Sequence, residues 1–397
     1  MSARVNLLAP EVLANPYPVF AELRRNAPVC QVEPGGFWAV TRYADVMSVL
    51  KTPQLFSSEG LARSMEPAWL GYNPMARSML VMDPPRHGRA RSLISRAFTP
   101  TTIARLEPFL RATAERLVDE LLARREGDFL QALALPLPAA AIGHLMGLDA
   151  SLYSRFKHWS DHLAIVSAIS ATDIEQQQQV KRTIQELEGY LKEVMEYRRR
   201  QPGDDLVSGL LTARVDGEAL SEAELVGFLF LLLAAGLETT VNLLGNGALL
   251  LADRPELLER LRAEPALLPS FIEEVLRYES PAQSTFRLTT AEAEVGGVKL
   301  PQYSVLMLLL GSACRDEQYV PDAERFVLGR KDPANMPFGH GIHFCLGAPL
   351  ARLEARVTLE ALLPRIRSLS RMPEALQWYP SLQIRGLMKL PVRVEPA

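Results

Sequence analysis

The chain has 397 residues, of which 48% are hydrophobic and 22% charged, so a sizeable core can be buried, and the length admits either several domains or one large one. Its 43 basic and 46 acidic residues leave a net charge of −3, which excludes a global positive field of the kind that recruits nucleic acid. Three cysteines, Cys30, Cys314 and Cys345, are too few and too scattered for a disulfide framework, and their odd number fits a reducing compartment such as the cytoplasm.

Residues 1–20 carry Pro10, Pro16 and Pro18 and no apolar run, so no secretory signal is expected there. Tyr17, Phe20 and Leu23 predict a short amphipathic helix ending near Asn26. Val29 to Val32 and Phe37 to Thr41, separated by Glu33-Pro34-Gly35-Gly36, predict a hairpin, and helical spacing returns at 43–51. Residues 52–80 have bulky side chains without periodicity, the pattern of either a poorly ordered loop or a lid over an apolar site. Asp83-Pro84-Pro85 starts a helix bearing Arg86, His87, Arg89, Arg91 and Arg96. His87 and Arg91 share a face of it and could hold an anionic group together.

Helices are expected over 101–200, broken at Leu135-Pro136-Leu137-Pro138 and around Ala171 to Asp173, with turns at Gly203-Asp204-Asp205 and Asp216-Gly217. Ser221-Glu222-Ala223-Glu224 is a capping box opening a long apolar helix. Residues 225–252 contain a single charged side chain, Glu238. Length and apolarity would permit a membrane span, but a charge at mid-helix costs about 2.5–3.5 kcal/mol on insertion and no second such segment exists; the central helix of a globular fold is the expected reading. Gly236, Glu238, Thr239 and Thr240 interrupt its apolar run and place polar groups where a kink or a function must compensate. Glu274 and Arg277 are three apart on a helix at 270–278, and strand-like runs follow at 286–290, 294–299 and 304–310.

The densest stretch is Phe338-Gly339-His340-Gly341-Ile342-His343-Phe344-Cys345-Leu346-Gly347, running straight into a helix with Leu350, Leu353 and Val357 on one face. Glycines let the backbone turn tightly. A cysteine just before a helix N-terminus faces unpaired N–H groups and the positive end of the helix dipole, which favour the thiolate that binds a soft metal.

This stretch, Phe338-x-x-Gly341-x-His343-x-Cys345-x-Gly347, resembles the haem-binding signature of the cytochrome P-450 superfamily, the haem-thiolate monooxygenases, with every fixed position filled. His87-x-x-x-Arg91, Ala235-Gly236-x-Glu238-Thr239, Glu274-x-x-Arg277 and Pro321-Asp322-Ala323-Glu324-Arg325-Phe326 resemble the partner motifs, in order. The resemblance implies a mainly α fold with small β-sheets, a single domain over 1–397 with strands near 27–42 and 286–310, and haem b (iron protoporphyrin IX) between the long central helix and the cysteine loop with its following helix.

By the same resemblance, Cys345 is the metal ligand, shielded by Phe338, with backbone N–H groups near Leu346 and Gly347 tuning it. His87, Arg91, Arg287 and His343 neutralise the propionates. Ala235 and Gly236 lie beside the cofactor, where Gly236 leaves space for dioxygen, and Glu238 and Thr239 deliver protons. Glu274, Arg277 and Arg325 form a buried network under the cysteine loop. Leu232, Ala235, Thr285, Gln383 and Ile384 line the substrate pocket, with residues 55–80 and the helices around 159–174 nearby.

The implied reaction inserts one atom of O2 into a C–H bond of an apolar small molecule, such as a fatty acid, terpenoid, steroid or polyketide, by hydroxylation or epoxidation. The chain has no Gly-x-Gly-x-x-Gly fingerprint and no length left for a reductase, so electrons are expected from a ferredoxin and an NAD(P)H-linked ferredoxin reductase. The arginines of the His87 helix that do not reach a propionate would face an acidic electron donor. A cytoplasmic monomer without nucleic-acid or membrane partners is expected. The alternatives are a haem-thiolate protein working without external electrons, by rearrangement or as a peroxygenase, and a haem-binding sensor. The Glu238–Thr239 pair favours the monooxygenase, since proton delivery serves no purpose in a carrier.

Overall fold

A computed structural model describes residues 4–96, 98–166, 169–170, 172–331 and 336–397. Contacts group the chain into two compact units: residues 1–57, 111–134 and 239–397, and residues 58–110 and 135–238.

The first unit holds all the sheets. Strands Val29–Val32 and Phe37–Val40 pair antiparallel with Val29 opposite Val40, and the turn between them uses Gly35 and Gly36 at φ +91° and +63°, a region open to glycine. Val305–Leu308 lies parallel to Phe37–Val40, and Thr285–Thr289 and Phe56–Ser57 complete a five-stranded sheet. Val29, Val40, Val46, Val49, Leu306 and Leu308 form one buried cluster with Met336 beside them, so the alternating apolar residues of the sheet supply much of this unit's core. A two-stranded hairpin, Ala293–Val295 with Val298–Leu300, turns at Gly296 and Gly297, both at positive φ.

A third sheet was not foreseen from the sequence. Glu126–Asp128, Pro391–Pro396 and Ile366–Arg371 pair around the central Pro391–Pro396 strand, and Glu126-Gly127-Asp128 carries no strand signature of its own. Pairing between segments more than 200 residues apart creates that strand, which local propensity does not. Helices Leu268–Tyr278 and Ala348–Leu362 pack against each other in the same unit.

The second unit is helical: Arg86–Ser95, Pro136–Met146, Tyr153–Ile165, Ile174–Arg200 and Leu206–Thr212, with Tyr153–Ile165 and Leu206–Thr212 each packed against both Pro136–Met146 and Ile174–Arg200. The expected interruption at 135–138 is the joint between a turn of π-helix, Leu130–Ala134, and the helix Pro136–Met146. Of the break expected at 171–173, Ala171 lies outside the described residues. The irregular stretch after residue 57 resolves into short turns of helix, Glu59–Leu61, Ala62–Met65, Pro74–Arg77 and Met79–Val81.

The central helix, Glu222–Asp253, is helical throughout its 32 residues. Its capping box is formed: the Glu224 amide donates to Ser221 Oγ at 3.2 Å and the Ser221 amide to Glu224 Oε2 at 2.9 Å. It is the one helix among the described residues long and apolar enough to cross a membrane, yet 67% of its most apolar window is buried, as befits a core helix of a globular protein.

Candidate haem-thiolate site

In the first unit the cysteine loop folds on itself. The Cys345 amide donates to Phe338 O at 3.0 Å, the Phe344 amide to Gly341 O at 3.1 Å, and the Gly339 amide to Met336 O at 2.9 Å. Gly339 and Gly341 sit at φ +70° and +71°, and a Cβ on Gly341 would come within 2.7 Å of Leu50 O, so only glycine fits there. Gly347 is the N-cap of Ala348–Leu362, which places the exposed Cys345 two residues before the positive end of that helix. The Arg352 guanidinium lies 4.5 Å from the centre of the Phe338 ring and is held in turn by the Glu273 carboxylate, Nη2 to Oε2 at 3.0 Å.

Arg277 donates Nε and Nη2 to the two oxygens of Glu274, each at 2.8 Å, with both side chains 1% or less exposed. The third side chain is Arg330, not Arg325 as expected: Arg330 Nε lies 3.2 and 3.1 Å from the Glu274 oxygens. Arg325 contributes only its carbonyl, accepting from Arg277 Nη2 at 2.8 Å and Arg330 Nη2 at 3.1 Å, and is itself exposed. The turn closed by the Arg325 amide on Asp322 O, with Asp322 at φ 51°, directs residue 325 outward, and the next turn brings Arg330 back. Glu274 also accepts the Val327 amide at 2.7 Å, so it receives donors from its own helix and from the 327–330 segment.

Arg287 is 6% exposed on strand Thr285–Thr289, with Nη1 donating to Phe286 O at 2.6 Å. Thr285 is half-buried at the start of that strand. Gln383 and Ile384 lie on a loop tip stitched to the segment before Thr285: Ile384 bridges Ala282, and the Gln283 amide donates to Gln383 O at 2.7 Å.

In the second unit, His87 is 2% exposed on Arg86–Ser95, with the half-buried Arg91 one turn on along the same face. Arg89, expected among the arginines facing a partner, is instead committed within the protein: Nη1 donates to Ala219 O at 2.9 Å and Nη2 binds Glu224, the acid of the capping box. Arg86 is exposed.

On the central helix, Leu232 is buried, Ala235 exposed and Thr239 half-buried. A Cβ on Gly236 would lie 2.6 Å from Ile142 Cδ1, so a side chain there would strike the helix Pro136–Met146. Glu238 is 6% exposed, and its Oε1 has no hydrogen-bond partner among the described residues. Burial pushes its carboxyl above the ordinary range, against the pull of Lys157, whose Nζ lies 3.4 Å from Oε2. Lys157 also binds Asp161, a partly exposed acid one turn along Tyr153–Ile165. Sequence reasoning missed Lys157, Glu273, Arg330 and Arg352. Each acts across a contact between segments: Glu273 adjoins the Glu274-x-x-Arg277 motif, Arg330 follows the 321–326 motif and Arg352 follows the cysteine stretch, but no fixed motif position marks any of them.

A profile of the cytochrome P450 family matches residues 144–373. Cytochrome P450 107B1 of Saccharopolyspora erythraea is 41% identical over 367 residues, covering 90% of this chain and 89% of that one. The chain belongs to the cytochrome P450 family. The 6-deoxyerythronolide B hydroxylase of the same organism is 36% identical over 394 residues, with 96% of each chain covered. The solved structure of cytochrome P450 CYP109Q5 from Chondromyces apiculatus superposes with a TM-score of 0.92 at 43% identity over the full length of both chains. This P450 is a haem-thiolate monooxygenase.

The residues present fit that cofactor. Burial pushes the Cys314 thiol up to about 12 and raises that of the half-buried Cys30, whereas Cys345 is exposed at a helix N-terminus in a glycine-built turn, the position of the three that suits a metal ligand.

One acid of this P450 has no place in that chemistry. Glu354 is 1% exposed on the helix after Cys345, its Oε2 has no partner among the described residues, and burial raises its carboxyl well above the carboxylate range. Between the ordinary range and that raised value the native state keeps a proton that the unfolded chain has released. Stability therefore falls as pH rises through the window, at about 1.4 kcal/mol per pH unit for a full proton. Glu354→Gln should flatten this slope in thermal melts of the holoenzyme from about pH 6 to 8, leaving the smaller contribution of the same sign from Glu238. An unchanged slope would place an ionised carboxylate at Glu354.

Proposed function

We propose that this P450 hydroxylates or epoxidises an apolar small molecule of polyketide, steroid, terpenoid or fatty-acid type. It does so in the cytoplasm as a monomer, with iron protoporphyrin IX and electrons from a ferredoxin and its NAD(P)H-linked reductase. Similarity over nearly the whole chain to a hydroxylase named for 6-deoxyerythronolide B supports a substrate of macrolide size. The observation that carries the monooxygenase reading is Glu238, an acid kept buried beside Lys157 in the segment Ala235-Gly236-Leu237-Glu238-Thr239. Such a group costs stability and is retained where a proton must be held and given up.

The bound haem supplies oxygen activation, with the thiolate pushing electron density toward the metal. The chain does the rest. Cys345 would ligate the iron, with the Phe338 ring, held by Arg352, as the side chain that would shield the sulfur once the haem is bound. Arg287, His87, Arg91 and His343 pair with the propionates. Burial favours the protonated form of Glu238, and Thr239 would provide the hydroxyl that relays a proton toward the oxygen-binding side of the haem. Lys157 and the partly exposed Asp161 connect Glu238 to solvent. Leu232, Ala235, Thr285, Gln383 and Ile384 face the substrate.

Thr239→Ala tests this assignment. Haem binding and the thiolate spectrum should survive while hydrogen peroxide formed per NAD(P)H rises severalfold. Unchanged coupling would remove Thr239 from proton delivery.

A further inference from the structure

Behind the loop that carries Gln383 and Ile384 stands a second layer of contacts, all within the first unit. Residues 377–388 run out and back: the Tyr379 amide donates to Gly386 O at 3.0 Å, the Met388 amide to Gln377 O at 2.8 Å, and Trp378 bridges Leu387. The tip is tied to the segment leading into Thr285 by the Arg385 amide on Pro281 O at 2.8 Å and by Ser284 Oγ on Leu382 O, also at 2.8 Å. From the central helix, Asn246 reaches both segments at once. Its Nδ2 donates to Glu279 O at 3.0 Å and to Arg385 O at 3.2 Å, and the residue is wholly buried. One turn earlier, Asn242 abuts Gly386 so closely that a Cβ there would lie 1.8 Å from Asn242 Oδ1.

A buried amide in the interior of an apolar helix lowers helix propensity and costs desolvation, so its two carbonyl contacts are the return on its presence. Those carbonyls belong to the two segments that continue into Thr285 and into Gln383 and Ile384. The two segments are bonded to each other directly, and Asn246 anchors the pair of them to a rigid helix through one side chain, while the glycine at 386 lets the loop sit against that helix.

We infer that Asn246 is a specificity-determining positioning residue, with Gly386 as its counterpart: together they set how far the 383–386 tip projects, and hence the size of ligand admitted. This rests on the reading that Gln383 and Ile384 line the substrate pocket. It gives Asn246 no contact with substrate or cofactor.

The test uses ferric holoenzyme and two iron-coordinating probes, imidazole and the bulky azole econazole, each titrated by its nitrogen-ligand spectral shift, with melting temperature recorded alongside. In Asn246→Ala the imidazole Kd should stay within about twofold of wild type while the econazole Kd moves by at least about fivefold, and Gly386→Ala should do the same. Ile384→Ala serves as the reference arm. If it leaves the econazole Kd unchanged, the pocket reading itself fails. If Ile384→Ala shifts that Kd and Asn246→Ala and Gly386→Ala do not, or shift both probes alike, the positioning role is overturned. Should Asn246→Ala not accumulate as holoenzyme, Gly386→Ala alone decides by the same criteria.

Discussion

Replacing Cys345 with alanine should abolish both the thiolate spectrum and turnover, whereas Cys30→Ala should leave them at wild-type level. The contrast follows from where the sulfurs lie. Cys314 is inside the core with its thiol pushed up to about 12, and Cys30 is half-buried on strand Val29–Val32, so neither has the exposure or the neighbouring helix end that would yield a thiolate. Cys345 has both, in a turn whose geometry depends on Gly339 and Gly341. A Cys345→Ala protein should still fold, because the residue is exposed and its backbone contact to Phe338 O does not use the side chain. Absorbance of the reduced, carbon monoxide-treated variant and its melting temperature separate the two effects. Loss of folding rather than of ligation would contradict the account.

The second large effect is expected at the buried network. Glu274→Ala should cost about 3–5 kcal/mol in denaturant unfolding, since it leaves Arg277 uncompensated in the core and Arg330 without its carboxylate. Arg330→Ala should also be costly, because one of the two guanidinium groups on Glu274 disappears. Arg325→Ala should change stability by no more than about 0.5 kcal/mol, its side chain being exposed and its carbonyl unaffected. If Arg325→Ala proved the costly variant and Arg330→Ala the neutral one, the assignment from sequence would stand against the geometry. Holoprotein yield should follow stability in the Glu274 and Arg330 variants, since the 325–330 segment they hold precedes the cysteine loop in the chain.

These expectations mark what was and was not legible in the sequence. The hairpin 29–40, the capping box Ser221–Glu224, the turn at Gly296-Gly297 and the cysteine turn were readable because each is encoded within a few residues by glycine, proline or a side chain that returns to its own backbone. The pair Glu274–Arg277 was readable because helix geometry alone puts residues three apart on one face. The third arginine was misassigned because two arginines lie five residues apart in an irregular segment, where no periodicity tells which turns inward. Lys157 was invisible for a related reason: its contact with Glu238 spans 81 residues of sequence. The sheet built from 126–128, 366–371 and 391–396 escaped because its first strand, Glu-Gly-Asp, exists only through pairing with residues 391–393. Gly236 carried a signal that admitted two meanings. The family resemblance assigns it to oxygen access, and the fold adds that any side chain there would strike Ile142.

The chemistry proposed for Glu238, Thr239, the propionate partners and the substrate loop all depends on one bond, between Cys345 and haem iron. The most direct measurement is the difference spectrum of the dithionite-reduced wild-type protein with and without carbon monoxide. The account predicts the red-shifted Soret band of a thiolate-ligated haem. A band at the position given by histidine-ligated haem, in freshly prepared and fully folded protein, would contradict it.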